Sequence, residues 1–456
     1  MFKRYFTLIV LAAMILGVGA GYALNVNLGD VTTSLLGLGG VARDSMFDAN
    51  GAILKARLAE IADQFSLITD IFLRLIKMII APLVLSTLVV GIAHMGGTGG
   101  LGRVGVRTLG WFILASIVSL CLGLALVHLL QPGIDTGLTL PPEDADSGIQ
   151  AAAVNLKDFI THLVPKSIFE AMANNEILPI VVFSVFFGVA LAGLGEQAKP
   201  VVDLAERVSH VMLRVTGYVM MFAPFAVFAA IAATVAENGL AILGTYLKFI
   251  GGFYIALIIL WAVLILAGLL FVGPRVFSLL GYIREPILLA FSTASSEAAY
   301  PRTFEQLQRF GASRRIAGFV LPLGYSFNLD GSMMYCTFAV MFIAQLYGIE
   351  LRVDQQLTML LLLMVTSKGM AGVPRASLVV IAATLAQFNL PEAGLVLILA
   401  VDHFLDMGRS ATNVVGNSIA TLVVAKWEKE LGPARANIDP AGGPPLEAAG
   451  DIEVGR

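Results

Sequence analysis

Asp402-His403-Phe404-Leu405-Asp406-Met407-Gly408-Arg409-Ser410-Ala411-Thr412-Asn413-Val414-Val415-Gly416-Asn417 lies inside the apolar run 392–425, and its spacing decides how the chain is read. Steps of four, three and four residues place Asp402, Asp406, Arg409 and Asn413 on one face of a helix, and Asn417 continues the stripe. An ionisable side chain inside a bilayer costs about 2.5–3.5 kcal/mol on insertion scales and marks function by default. Two carboxylates against one guanidinium exceed what a helix-holding ion pair requires. Arg409 offers a planar fork that fits a carboxylate bidentately. Asp406, one turn away, can accept from an ammonium, so the pair suits a small solute that carries both charges.

The composition supports a bilayer around this stripe. Of 456 residues 57% are hydrophobic and only 13% charged, where a soluble domain carries about 25% charged residues. Mean hydropathy is +0.85. Apolar runs at 5–24, 66–95, 104–131, 151–195 (broken near Pro165), 203–236 and 241–272 reach spanning length. Lys3-Arg4 followed by Phe6 to Leu24 reads as a first membrane helix rather than a signal peptide. A net charge of -3 and no basic stripe argue against nucleic acid. Cys121 and Cys336 have no metal or redox spacing and read as small buried residues. The histidines 94, 128, 162, 210 and 403 are scattered, which gives no support to a membrane enzyme.

Beyond residue 272 the runs shorten and break. The piece 276–293 ends in the tip Ser292-Thr293-Ala294-Ser295-Ser296-Glu297, and 316–327 is interrupted at Asn328-Leu329-Asp330-Gly331 before 332–347. A second short piece, 355–366, breaks at Ser367-Lys368-Gly369-Met370-Ala371-Gly372-Val373-Pro374 and resumes at 376–388. Non-helical backbone at membrane depth survives only inside protein or along a cavity, and paired interrupted segments point to a transporter binding site. The order, hairpin then functional helix, occurs twice and predicts an inverted repeat. Unwound carbonyls near Asn328, with Asp330, suit a cation, and the N–H groups of Ser295 and Ser296 suit a carboxylate. Basic residues such as Arg103, Arg107, Lys199, Arg275, Arg314 and Lys426 predict cytoplasmic ends, and the acidic stretch 131–150 an outer loop. The segment 43–64 reads as an amphipathic helix at the outer interface.

Phe327-Asn328-Leu329-Asp330-Gly331, the Ser295-Ser296-Glu297 tip, Ala371-Gly372-Val373-Pro374 and Asp402…Asp406-Met407-Gly408-Arg409…Asn413…Gly416-Asn417 together resemble the dicarboxylate/amino acid:cation symporter family, over about residues 5–430. The resemblance implies an all-α membrane protein of eight transmembrane helices plus two re-entrant helical hairpins, working as an elevator in a homotrimer. It implies scaffold helices in 1–103 and 151–237, a third helix in 104–131, a transport domain over 241–425 and a disordered cytoplasmic tail at 426–456. Both termini would be cytoplasmic, in a bacterial inner membrane whose lipid is the surrounding partner. Arg409 would take the side-chain carboxylate and Asp406 the amino group of the solute. Ser410 and Asn413 would hold its α-carboxylate, with Ser295, Ser296 and Val373 nearby. Gly372, Pro374 and Arg375 would form the external gate. Cations would use Gly324, Asn328, Asn413 and Asn417, or Ser326, Ser367 and Met370, with Asp330 and Ser116.

Asp406 and Arg409 together favour glutamate or aspartate, with C4-dicarboxylate symport as the alternative. Sodium-coupled relatives commonly carry aspartate at 417, and tyrosine and threonine where this chain has Phe112 and Ala115. Those changes remove the hard oxygens an alkali cation requires. Proton coupling is therefore expected before sodium coupling, through Asp406, Asp330 or Glu297. The animal carriers' glutamate is replaced by Cys336, and Arg375 stands where glycine is usual. No cofactor beyond the coupling ion is expected, and a channel would lack saturable, stereoselective uptake.

Overall fold

A computed structural model describes residues 2–35, 49–93, 98–134, 136, 140, 161, 164–238, 246–367, 376–399 and 401–434. Every regular element among them is helical. In chain order these are α1 (Phe2–Leu35), α2 (Ala49–Ala93), α3 (Thr98–Leu130), α4 (Ile168–Ala173), α5 (Ile177–Leu194), α6 (Lys199–Val219), α7 (Ala223–Asn238) and α8 (Leu247–Val272). There follow α9 (Arg275–Thr293), α10 (Ser296–Phe310), α11 (Arg314–Phe327), α12 (Asp330–Leu346), α13 (Val353–Thr366), α14 (Ala376–Gln387), α15 (Gly394–Leu399) and α16 (Asp402–Trp427).

Local chemistry sets the boundaries. Gly273, at φ 83°, stops α8 and donates to the Leu269 carbonyl, and Pro274 opens the next helix. Ala294 turns left-handed at φ 50° between α9 and α10, and the Ser295 hydroxyl caps α10 by accepting from the Ala298 N–H. Gly311, at φ 118°, ends α10, and Ser313 caps α11 by accepting from the Ile316 N–H. α9 packs against α10 as a helical hairpin. The interruption expected around 328–331 is narrow: Asn328 and Leu329 alone leave the helix, with Asn328 N–H still bonded to Gly324 O at 2.8 Å.

The helices pack in two groups. α7 lies along α1 and α2, and α2 also meets α5 and α6. The second group is built on α16, which touches α3, α8, α9, α10, α11 and α12, with α13 and α14 packed on α12. Between the groups α2 meets α10 and α11, and α9 meets α1 and α7. Large apolar side chains such as Ile15, Ile71, Leu114, Phe186, Ile258 and Leu270 face outward, more than a water-facing surface tolerates. Seven apolar segments among the described residues are long enough to cross a bilayer, one of them the 58-residue stretch Pro179–Ala236 that runs through α5, α6 and α7.

Several expectations shift. Residues 49–64 continue without a break into α2 rather than forming a separate interfacial helix. At 45 residues α2 is about 68 Å long, more than twice a bilayer core. α3 starts at Thr98, before 104. The segment 151–195 has, besides the irregular residues around Pro165, a second break at Asn174–Glu176. The final run is divided, so Asp402 begins α16 instead of lying mid-helix. Cys336 is buried, but Cys121 is exposed on α3. The tail expected to be unstructured from 426 is ordered at its start: Leu431 pairs with Ala312 in an antiparallel bridge. Residues 435–456 lie outside the described residues.

Candidate functional site

α16 carries a polar stripe, yet every residue from Leu405 to Ala425 is buried. The stripe faces the Asn328–Leu329 interruption and the α9–α10 tip. Arg409, with none of its surface exposed, is the largest fully buried side chain among the described residues. Its Nε donates to Asp406 Oδ1 at 2.5 Å, Nη1 to Ser332 Oγ at 3.1 Å and Nη2 to the Ala294 carbonyl at 3.4 Å. One guanidinium thus joins its own helix, the start of α12 and the hairpin tip. A buried charge persists only when paired and hydrogen-bonded.

Asn413, one turn on, sits under the N-terminus of α12. Its Oδ1 accepts from the N–H groups of Gly331 and Ser332 at 2.9 and 3.3 Å, and its Nδ2 donates to Ser332 Oγ at 3.1 Å. These N–H groups have no partner within their own helix, so a side chain from another helix caps them. Gly331 and Gly416 make the approach possible, since a Cβ on either would run into the Arg409 carbonyl or the Asp330 carboxylate.

A second buried cluster adjoins the first. Asp330 accepts from Ser119 Oγ on α3 at 3.1 Å and from Asn328 Nδ2 at 3.0 Å. Asn328 Nδ2 also donates to Asn417 Oδ1 at 3.1 Å, and that oxygen rests on Gly324. Asn328 Oδ1 and Asn417 Nδ2 find no protein partner among the described residues, although both residues are fully buried. The hydroxyls of Ser296 and Ser410 are likewise buried without a partner. Unsatisfied buried polar atoms are rare in folded proteins and call for an explanation such as a ligand or ion.

Of the residues singled out from the sequence, Asp406, Arg409, Asn413 and the Asn328–Asp330 turn come together, with Asn417 and Gly324 next to them. Ser295 and Ser296 follow Ala294, whose carbonyl meets Arg409, and Ser410 follows Arg409 on α16. Ser116 and Ser326 are buried. Ser367 caps the end of α13, with its hydroxyl on the Met364 carbonyl at 3.3 Å. Met370, Gly372, Val373, Pro374 and Arg375 lie outside the described residues. The sequence reading missed Ser332, Ser119 and Tyr335. Tyr335 Oη donates to Asp402 Oδ1 at 2.6 Å and anchors the first turn of α16 to α12. Ser332 follows the Asn-Leu-Asp-Gly break directly, so its place in the freed first turn was a usable signal.

A helical protein with apolar segments of spanning length, wrapped around a buried ionic centre, is a multi-pass membrane protein. Residues 6–427 match the sodium:dicarboxylate symporter family, and the chain belongs to that family. It is 42% identical over 367 residues to a proton/sodium-glutamate symport protein of Bacillus caldotenax, covering 79% of this chain and 87% of the relative. It is 44% identical over 371 residues to a C4-dicarboxylate transport protein of Cupriavidus necator, covering 79% and 85%. A proton/glutamate-aspartate symporter of Escherichia coli is 43% identical over 372 residues, again covering 79% and 85%.

Proposed function

We propose that the protein is a secondary active symporter for glutamate or aspartate, driven by protons, in a bacterial inner membrane. The observation that carries this is the fully buried Asp406–Arg409 pair, a fixed cation beside a fixed anion. Arg409 receives the side-chain carboxylate of the solute and Asp406 its ammonium. Ser410, Asn413 and Ser296 take the α-carboxylate with the second tip at Val373, and Gly372, Pro374 and Arg375 close the site. The unpartnered hydroxyls of Ser296 and Ser410 support that placing.

Asn328, Asp330, Asn417 and Ser116 form the coupling centre, with the carbonyls of Gly324, Ser326, Ser367 and Met370. An amide at 417 supplies less negative charge there than a carboxylate would, which favours a proton over sodium. The two packing groups support an elevator: α1, α2 and α4–α7 as a trimeric scaffold, and α3 with α8–α16 as the moving domain. In that arrangement α9–α10 and α13–α14 are the re-entrant hairpins, α16 is the eighth span, and the repeated hairpin-then-helix order reflects an inverted repeat.

The test is radiolabelled L-aspartate uptake into proteoliposomes under an inward proton or an inward sodium gradient. Proton-driven uptake without sodium supports the reading. A strict sodium requirement refutes the coupling assignment, and succinate uptake without aspartate uptake refutes the role given to Asp406. That second outcome is worth including because a C4-dicarboxylate transport protein is equally similar to this chain.

A further inference from the structure

α11 begins with two adjacent arginines, Arg314 and Arg315, and no acidic residue in its first turn. Cations there oppose the helix dipole, so each must be held by partners from elsewhere. Arg315 is answered within its own packing group, by an ion pair to Glu430 just beyond α16. Glu430 also accepts from Ser313 Oγ at 2.5 Å. Its carbonyl receives the Ser313 N–H at 3.1 Å, and Gly432 N–H reaches Gly311 O at 2.9 Å. That arrangement is a clasp between parts that move together.

Arg314 reaches the other way, across the boundary between the groups. Its Nη1 lies 2.5 Å from His210 Nε2 and 3.6 Å from Glu206 Oε1, and its Nη2 donates to Ser209 Oγ. All three partners belong to α6. Alongside, the two groups approach backbone to backbone at two glycines: a Cβ on Gly318 would meet the Thr87 carbonyl at 3.3 Å, and one on Gly91 the Arg315 carbonyl at 3.4 Å. Close backbone contact of this kind does not fix one sliding position, whereas a charged hydrogen-bond cluster does.

We propose that Arg314, with Glu206, Ser209 and His210, is a latch that holds the moving group in the arrangement described and opens once per transport cycle. The proposal rests on the division into scaffold and moving domain given above. Ser209 is fully buried beneath Arg314, so its accessibility reports whether the latch is open.

Full-length protein carrying Cys121→Ser and Ser209→Cys is reconstituted and reacted with a water-soluble maleimide, with and without Arg314→Gln. One hydrogen bond to a charged group is worth roughly ten- to a hundredfold in an equilibrium, so Arg314→Gln is expected to speed labelling by at least about tenfold. Glu206→Gln, which leaves the arginine in place, is expected to speed it by a smaller factor. Unchanged labelling in both variants overturns the latch. In a second arm, Ser209→Cys/Arg314→Cys is bridged with a bifunctional methanethiosulfonate reagent whose spacer replaces the length of the arginine side chain. Uptake stopped by bridging and restored by a reductant supports the proposal, and undiminished uptake with complete cross-linking overturns it. Labelling needs no substrate, so an error in the assigned solute would appear separately, as absent aspartate uptake in the unmodified protein.

Discussion

Asp406→Asn tests the centre most directly. In the native protein neither Asp406 nor Arg409 is exposed, and they are 2.5 Å apart. Removing one partner of a buried pair leaves an uncompensated charge and costs about 3–5 kcal/mol. Ser332 Oγ and the Ala294 carbonyl still hold the guanidinium, which puts the expected loss near the lower end, about 3 kcal/mol. A carboxylate from a bound solute can restore neutrality, so succinate should stabilise the variant more than it stabilises the wild type. L-Aspartate gains the same carboxylate contact but loses the acceptor for its ammonium. That charged hydrogen bond is worth about 1.5–3 kcal/mol, or roughly ten- to a hundredfold in Kd. The assay is thermal unfolding of both proteins in detergent with no ligand, with succinate and with L-aspartate, alongside uptake of each solute. A variant that melts with the wild type, or equal losses of affinity for succinate and aspartate, would refute these roles for Asp406.

Asn413→Ala leaves the Gly331 and Ser332 N–H groups without their acceptor. A loss of about 1 kcal/mol is expected, as for a missing helix cap, read as faster amide exchange at the start of α12. Tyr335→Phe strips Asp402 of its 2.6 Å donor and should lower stability by about 1–3 kcal/mol in the same melting assay. Gly311→Ala places a Cβ against the backbone of Gly432 and Pro433 at φ 118°. It should cost at least about 1–2 kcal/mol and open residues 428–434 to limited proteolysis. Asn417→Asp adds a hard oxygen beside Asn328 and is expected to make uptake respond to sodium at neutral pH, checked by the two-gradient assay.

The helix face from Asp402 to Asn417 could be read directly because a period of 3.6 residues fixes which side chains share a side. The Asn328–Leu329 interruption and the Ala294–Ser295 tip were equally legible, since small polar residues inside apolar runs have few structural uses there. What joins these pieces was not legible. Asn413 meets the α12 N-terminus from 82 residues away and Tyr335 meets Asp402 from 67, and no local pattern encodes such pairings. The ordered stretch 428–432 was missed for a related reason. Its composition resembles a solvated tail, but Glu428 is tied to Arg103 and Arg107 on α3, and the Gly432 carbonyl to Arg275.

Hydropathy itself gives out at the helix that matters most. α16 has 26 residues, ample for a bilayer, yet it is not among the seven segments apolar enough to count as spans. Asp402, Asp406, Arg409, Asn413 and Asn417 lower its hydropathy, and the structure keeps all five away from lipid by surrounding them with α3 and α8–α12. Hydropathy scores the cost of moving a side chain from water to lipid, and these side chains never make that transfer. Their cost is instead met by one another, by the side chains of Asn328, Ser332 and Tyr335, and by the Gly331 and Ser332 N–H groups freed where α12 restarts after Asn328 and Leu329, so a defect in one helix satisfies polar groups on another. Neither feature is stable without its counterpart. A polar stripe on a buried helix and a break in its neighbour therefore belong together, and finding both in one apolar sequence is stronger evidence for a binding centre than either alone.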